Sequence, residues 1–169
     1  MFYLDVFREF DQRGIRYLVV GALAMNLYGA PRMTADLDIL ADLEEENLSR
    51  LVEAMGDLGY QPRLPVKPEE LLSSDKRKEW SRTKGLKAFT FNHPKVRYQE
   101  VDLLLESPVP FAEGDRDKTI MTVEGISIPV ISVGHLISMK KKVGRKQDLA
   151  DIETLERIKR LGNRGDTDA

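Results

Sequence analysis

Asp36-Leu37-Asp38, running on into Ile39-Leu40-Ala41, is the stretch that most restricts what this chain can fold into. The tract is apolar enough to read as a strand, and aspartate is depleted in strands because it packs poorly on a half-buried surface. Residues two apart on a strand share a face. Asp36 and Asp38 therefore point one way, and Leu37 and Ile39 point the other way, toward a core. Two unit charges about 4 Å apart repel by roughly 4 kcal/mol at an effective dielectric near 20. Either one acid keeps its proton or a cation offsets the pair. Hard divalent cations such as magnesium are natural partners for carboxylate oxygens.

The chain around that strand alternates in kind. Phe2, Leu4, Val6, Phe7 and Phe10 recur at helical spacing up to Gly14, and Ile15–Val20 (IRYLVV) reads as a short strand closed by Gly21. Ala22–Tyr28 is a short helix, stopped at Gly29 and kept from resuming by Pro31. Leu48, Leu51, Val52, Met55 and Leu58 mark a helix after the carboxylate strand. Pro62, Pro65 and Pro68 mark an irregular stretch, followed by a polar, basic insertion over 69–87. Ala88–Asn92 and Tyr98–Glu106 read as strands, the second carrying Asp102 within VDLLL. Glu100 shares the face of Asp102; Asp102 is preferred as the functional acid because it sits deeper in the apolar tract. Thr119–Val123 and Ile126–Val133 form a strand pair turning at Glu124-Gly125. Ser132 caps a helix leading to Lys140, Lys141 and Lys142, and a last amphipathic helix runs through Leu149, Ile152, Leu155, Ile158 and Leu161. Residues 162–169 are expected to be a disordered tail.

Composition narrows the chemistry. The chain of 169 residues has no cysteine, which excludes a thiol nucleophile and a cysteine-ligated zinc, and its two histidines, His93 and His135, are too few for a multi-histidine metal site. Both are expected to be structural or exposed. A net charge of -2 gives no overall attraction for nucleic acid, so any such attraction is local. No apolar run reaches about 18 residues, so no membrane span is expected. The opening residues MFYLDVFREFDQRG lack a signal-peptide layout, and the expected location is cytoplasmic.

Taken together, Gly21-Ala22, then 13 residues, then Asp36-x-Asp38, then Asp102 on a later strand resemble the nucleotidyltransferase superfamily that includes DNA polymerase beta. Within it, the order Gly21, Ala24, Tyr28-Gly29, Arg32-x-Thr34, Asp36-Leu37-Asp38 is similar to a small prokaryotic branch related to AbiE-type toxins. Lys140 followed by Arg145, Asp148 and Asp151 resembles that branch's helical Lys and Arg-x-x-Asp-x-x-Asp run. The resemblance covers roughly residues 15–161 and implies an α/β (α+β) fold: one domain over 1–161, a small mixed sheet flanked by helices, with a short helical C-terminal region. It implies transfer of a nucleoside monophosphate from a nucleoside triphosphate to a hydroxyl acceptor, with release of pyrophosphate. Asp36, Asp38 and Asp102 would be the catalytic and metal-holding acids for Mg2+ or Mn2+. Gly21 and Ala22 amides would hold phosphates, with Arg32 as a phosphate clamp and Lys140 offsetting charge. Asp148 reads equally as a helix-surface acid or as an orienter of Lys140 or of a substrate group.

One position departs from the pattern. Ala22 stands where active relatives carry glycine or serine, and it lacks the serine hydroxyl. A nucleotide-binding or partner-binding module of weak or no activity is therefore the alternative, and a toxin-like enzyme acting on transfer RNA is a third reading. The partners to consider are a nucleoside triphosphate, a protein partner, and RNA through Lys76–Lys87, where Lys76, Arg77, Lys78, Arg82, Lys84 and Lys87 surround Trp80. The stretch reads either as a mobile charged insertion or as a surface that binds a nucleic-acid backbone and stacks a base on Trp80.

Overall fold

The computed structural model describes residues 3–165. The chain opens with α1 (Leu4–Gln12), β1 (Tyr17–Val20), α2 (Gly21–Leu27), β2 (Asp36–Ala41) and α3 (Glu45–Asp57). It continues through β3 (Gln61–Pro62), a 3-10 turn at Pro68–Leu72, α4 (Ser74–Lys84), β4 (Ala88–Asn92) and β5 (Glu100–Leu104). It ends with α5 (Phe111–Arg116), β6 (Thr119–Val123), β7 (Ile126–Val130), α6 (Val133–Val143) and α7 (Lys146–Gly165).

The strands form one mixed sheet in the order β3-β4-β5-β2-β1-β7-β6. β2 lies antiparallel to β1 and parallel to β5. β1 is an interior strand between β2 and β7, and all four of its residues are buried. The alternation along β2 is as the sequence demands. Leu37 and Ile39 are fully buried, while Asp36 and Asp38 are half-buried on the opposite face. From α1, Val6, Phe7 and Phe10 fill the core, with Phe10 edge-on to Tyr17 at 4.9 Å. Buried Asn47 of α3 accepts from the Arg16 amide and donates to the Arg16 and Asp42 carbonyls. It thereby ties the start of β1 to the end of β2, which fixes where the carboxylates stand.

Three expectations shift. The first proline of the irregular stretch belongs to β3, where a missing N–H is tolerated because the strand is at the sheet edge. The last helix runs to Gly165, so residues 162–165 are helical, while 166–169 lie outside the described residues. Of the apolar positions on that helix, Leu155 is buried but Leu149 and Leu161 are exposed.

The basic insertion differs most. Residues 74–84 form α4, capped at its start by Ser73 accepting from the Lys76 amide. Trp80 is only 4% exposed, and its ring packs 5.5 Å from Phe89. It is a core residue, so the reading of Trp80 as a base-stacking platform is withdrawn. The helix keeps one apolar anchor inward and exposes Lys76, Lys78, Arg82 and Lys84, while half-buried Arg77 donates to the Leu71 carbonyl at 2.7 Å.

Candidate active site

The parallel pairing of β2 and β5 sets Asp38 opposite Asp102 and Asp36 opposite Glu100. Four acids therefore share one patch of the sheet, but their surroundings differ. Glu100 is engaged by the Arg63 guanidinium. Asp102 accepts from Thr90 Oγ1 at 2.5 Å, a bond made possible because Thr90 faces it across β4 and β5. Burial, then Asp102 and Asp36, push the Asp38 carboxyl up to about 7, while Lys140 pulls it down. Asp36 is also raised, by burial and then by Glu100 and Asp102, against Arg63. Asp38 is thus the acid most in need of a proton or a cation. Among the described residues, no three His, Asp or Glu side chains are grouped as a ready-made metal cage.

Gly21 stands against this patch for a steric reason. Its φ is +67°, a conformation side chains rarely adopt. A Cβ there would also drive into the Asp38 carboxylate, coming within 3.0 Å of its Cγ. Glycine is required both by the sharp exit from β1 and by the close approach of that acid. Ala22 follows in α2, whose N-terminus has no side-chain cap.

A cleft of about 290 Å³ opens beside these groups, lined by Gly21, Asp38, Lys87, Lys140, Arg145 and Asp148 together with apolar side chains of α6. Gly21, Asp38, Lys140 and Asp148 are therefore brought together. Arg32 lines a second cleft of about 610 Å³ with Asp36, Tyr3 and Leu23, and meets the first group through Asp151, 3.4 Å from its Nη1. Asp36 and Asp38, two residues apart, open onto different clefts.

Lys140 is largely buried and held by two acids of α7. Its Nζ lies 3.0 Å from Asp151 Oδ2 and 3.9 Å from Asp148 Oδ1. Asp148 is itself buried and accepts from the Arg145 amide and Nε, each at 3.0 Å. Despite its burial, these bonds and the charges of Arg145 and Lys140 hold its carboxyl below the usual range. The helix-surface reading of Asp148 is withdrawn, since it stands beside Lys140. Asp151 belongs to the same Arg-x-x-Asp-x-x-Asp run in the sequence, where it carries no role of its own; its spacing from Asp148 puts both acids on one helical face. His93 stacks edge-on to Tyr60, and His135 lies 3.3 Å from Glu113, both away from the carboxylates.

No family model and no curated protein matches the chain. Solved structures do. A lincosamide antibiotic adenylyltransferase with lincomycin bound superposes with a TM-score of 0.58 at 16% identity, covering 90% of this chain and 93% of that one. The fold is that of the nucleotidyltransferases. A Thermotoga maritima protein assigned as a nucleotidyltransferase gives 0.54 at 19% identity, covering 96% and 93%. The enzyme ANT(2")-Ia, in complex with adenylyl-2"-tobramycin, gives 0.54 at 12% identity, covering 93% and 90%. Among the described residues, no helix is long and apolar enough to cross a membrane.

Proposed function

We propose that the chain is a metal-dependent nucleotidyltransferase. The observation that carries this reading is the register setting Asp38 opposite Asp102, with Gly21 and Lys140 at the same cleft. The donor set fits a hard cation. All three proposed ligands, Asp36, Asp38 and Asp102, offer carboxylate oxygens, and burial followed by the two neighbouring acids holds the Asp38 carboxyl up to about 7 despite Lys140, a balance that a bound cation would shift toward the carboxylate. Mg2+ or Mn2+, when bound, would supply charge neutralisation at the phosphates and the acids.

The protein's own groups have separable tasks. Lys140, fixed by Asp148 and Asp151, places positive charge at the cleft that would hold the triphosphate. The Gly21 and Ala22 amides lie at the turn into α2, where backbone N–H groups lack helical partners. Asp102 would take the proton of the attacking hydroxyl. A bond then forms from that oxygen to the α-phosphorus as the bond to pyrophosphate breaks, and pyrophosphate leaves from the Lys140 side.

The order of Gly21, Arg32, Asp36 and Asp38, with Lys140, Asp148 and Asp151 later, supports placement near the AbiE-type branch. The antibiotics in two structural neighbours put small hydroxyl compounds beside RNA as acceptors to test.

Ala22 supports a second reading, a nucleotide-binding module with little transfer. A missing charge-assisted hydrogen bond is worth about 1.5–3 kcal/mol. If it forms only in the transition state, that is about 10- to 150-fold in turnover with affinity nearly unchanged. The test is single-turnover pyrophosphate release with each of the four nucleoside triphosphates, against RNA, protein and small hydroxyl acceptors, with Asp36→Asn as the blank. Slow release by the natural protein, faster in Ala22→Ser, is expected. Triphosphate binding with both proteins at the blank level would establish the binding module instead.

A further inference from the structure

We infer that Asp151 is a positioning residue that couples the cleft lined by Asp38 to the cleft lined by Asp36. It is 4% exposed, and both of its oxygens are in use. Oδ2 accepts from Lys140 Nζ at 3.0 Å. Oδ1 accepts from Arg32 Nη1 at 3.4 Å and from Gln147 Nε2 at 3.2 Å.

The two cations it joins come from distant parts of the chain and serve different spaces. Lys140, on α6, faces the cleft containing Asp38 and Gly21. Arg32, in the segment before β2, lines the cleft containing Asp36. The Arg32 backbone is fixed as well, because its amide donates to Asn26 Oδ1 at 3.0 Å. One carboxylate shared by two cations cannot serve both fully, and bonds in such a network alter one another. Withdrawing Arg32 leaves Asp151 to hold Lys140 more firmly, which makes the ammonium less able to turn toward an anion at Asp38. A ligand that draws Arg32 away would act in the same sense. Occupancy of one cleft is thereby felt at the other through a named contact, as linkage between two sites requires. The contact stands on the geometry alone; its consequence for substrates rests on the nucleotidyl-transfer reading.

The experiment follows the Lys140 ammonium directly. In 15N-labelled protein, a buried, hydrogen-bonded ammonium should give a signal protected from solvent exchange, assigned by its loss in Lys140→Gln. Arg32→Gln should move that signal in the natural background and leave it nearly unmoved in Asp151→Asn. Equal movement in both backgrounds would mean direct repulsion between the two cations, and no movement would mean no coupling; either overturns the inference. Where Asp151→Asn fails to fold, Asp151→Ser supplies the second background for the same comparison, and an unmoved Lys140 signal in Arg32→Gln alone already refutes the coupling. In parallel, calorimetry with inorganic tripolyphosphate and magnesium should show Arg32→Gln weakening binding about fivefold or more, but under about twofold in the Asp151→Asn background. Equal weakening in both backgrounds also overturns the coupling. Failure of the natural protein to bind tripolyphosphate would count against nucleotidyl transfer, while the ammonium signal would still read the coupling.

Discussion

Replacing Asp38 by asparagine should make the metal-free protein more stable, and the gain should depend on pH. Asparagine closely matches a protonated aspartate in shape. Asp38 is held at about 7 by burial and by Asp102 and Asp36, against an ordinary value of 3.8. Between those two values the native carboxyl keeps a proton that the unfolded chain has lost. The native state binds more protons there, so stability falls as pH rises through the window. The full difference corresponds to about 4 kcal/mol at pH 8. Because the side chain is only half-buried and water screens part of the repulsion, about 2–4 kcal/mol is expected. For a chain of this size that is about 4–16 °C in melting temperature. At pH 4 the gain should shrink below about 1 kcal/mol, since the natural acid is then protonated in the folded protein too. The assay is thermal unfolding in chelator at pH 4, 6 and 8. Adding magnesium with a nucleoside triphosphate should reverse the order of the two proteins at pH 8, because ligand binding favours the native state. A lower melting temperature for Asp38→Asn at pH 8 in chelator, or the same gain at pH 4 and 8, would refute the electrostatic reasoning.

Other substitutions probe separate features. Gly21→Ala should cost about 2 kcal/mol or more, from its positive φ and the contact with Asp38. In denaturant titration Gly21→Ala should cost less in an Asp38→Ala background than in the natural protein, and an equal cost in both would mean the contact is not the cause. Trp80→Ala should cost about 3–5 kcal/mol, the loss for a buried aromatic; a loss under about 1 kcal/mol would place the ring at the surface. Trp80 fluorescence in the natural protein should also resist quenching by acrylamide, and easy quenching would argue the same way.

The legible parts of the sequence were those with a strict local rule. The alternation of Asp36, Leu37, Asp38 and Ile39 announced both the strand and its two faces, because a period of two leaves no choice. Gly21 was legible as a turn, but its contact with Asp38 was not, since that depends on how β1 and β2 pair. Asp102 was found by the apolar tract around it, and its position opposite Asp38 came from a register that no local pattern specifies. Trp80 misled because the charges around it dominate the composition of 74–84, whereas its burial is decided by Phe89, on another element. Arg32 reads as a phosphate clamp from its nearness in sequence to the aspartates, and its link to Lys140 through Asp151 depends on packing that no local pattern specifies. The strand carries Asp36 and Asp38 to different clefts, and Arg32 follows the first.

The pairing of β2 with β5 also bears on how the protein folds. About 60 residues separate the two strands, so the pairing requires closing a long loop, whereas β1 and β2 meet across a much shorter span. Asp36 and Asp38 can therefore take their places on a nascent sheet while still open to water, where their mutual repulsion is small. The repulsion rises only when β5 docks and brings Asp102 against Asp38. That places the electrostatic penalty of the site on a late, long-range step of folding. Chemistry and kinetic stability are then opposed at one strand pair: unfolding in chelator should slow on neutralising Asp102, the same change that would remove the proposed acceptor of the substrate's proton.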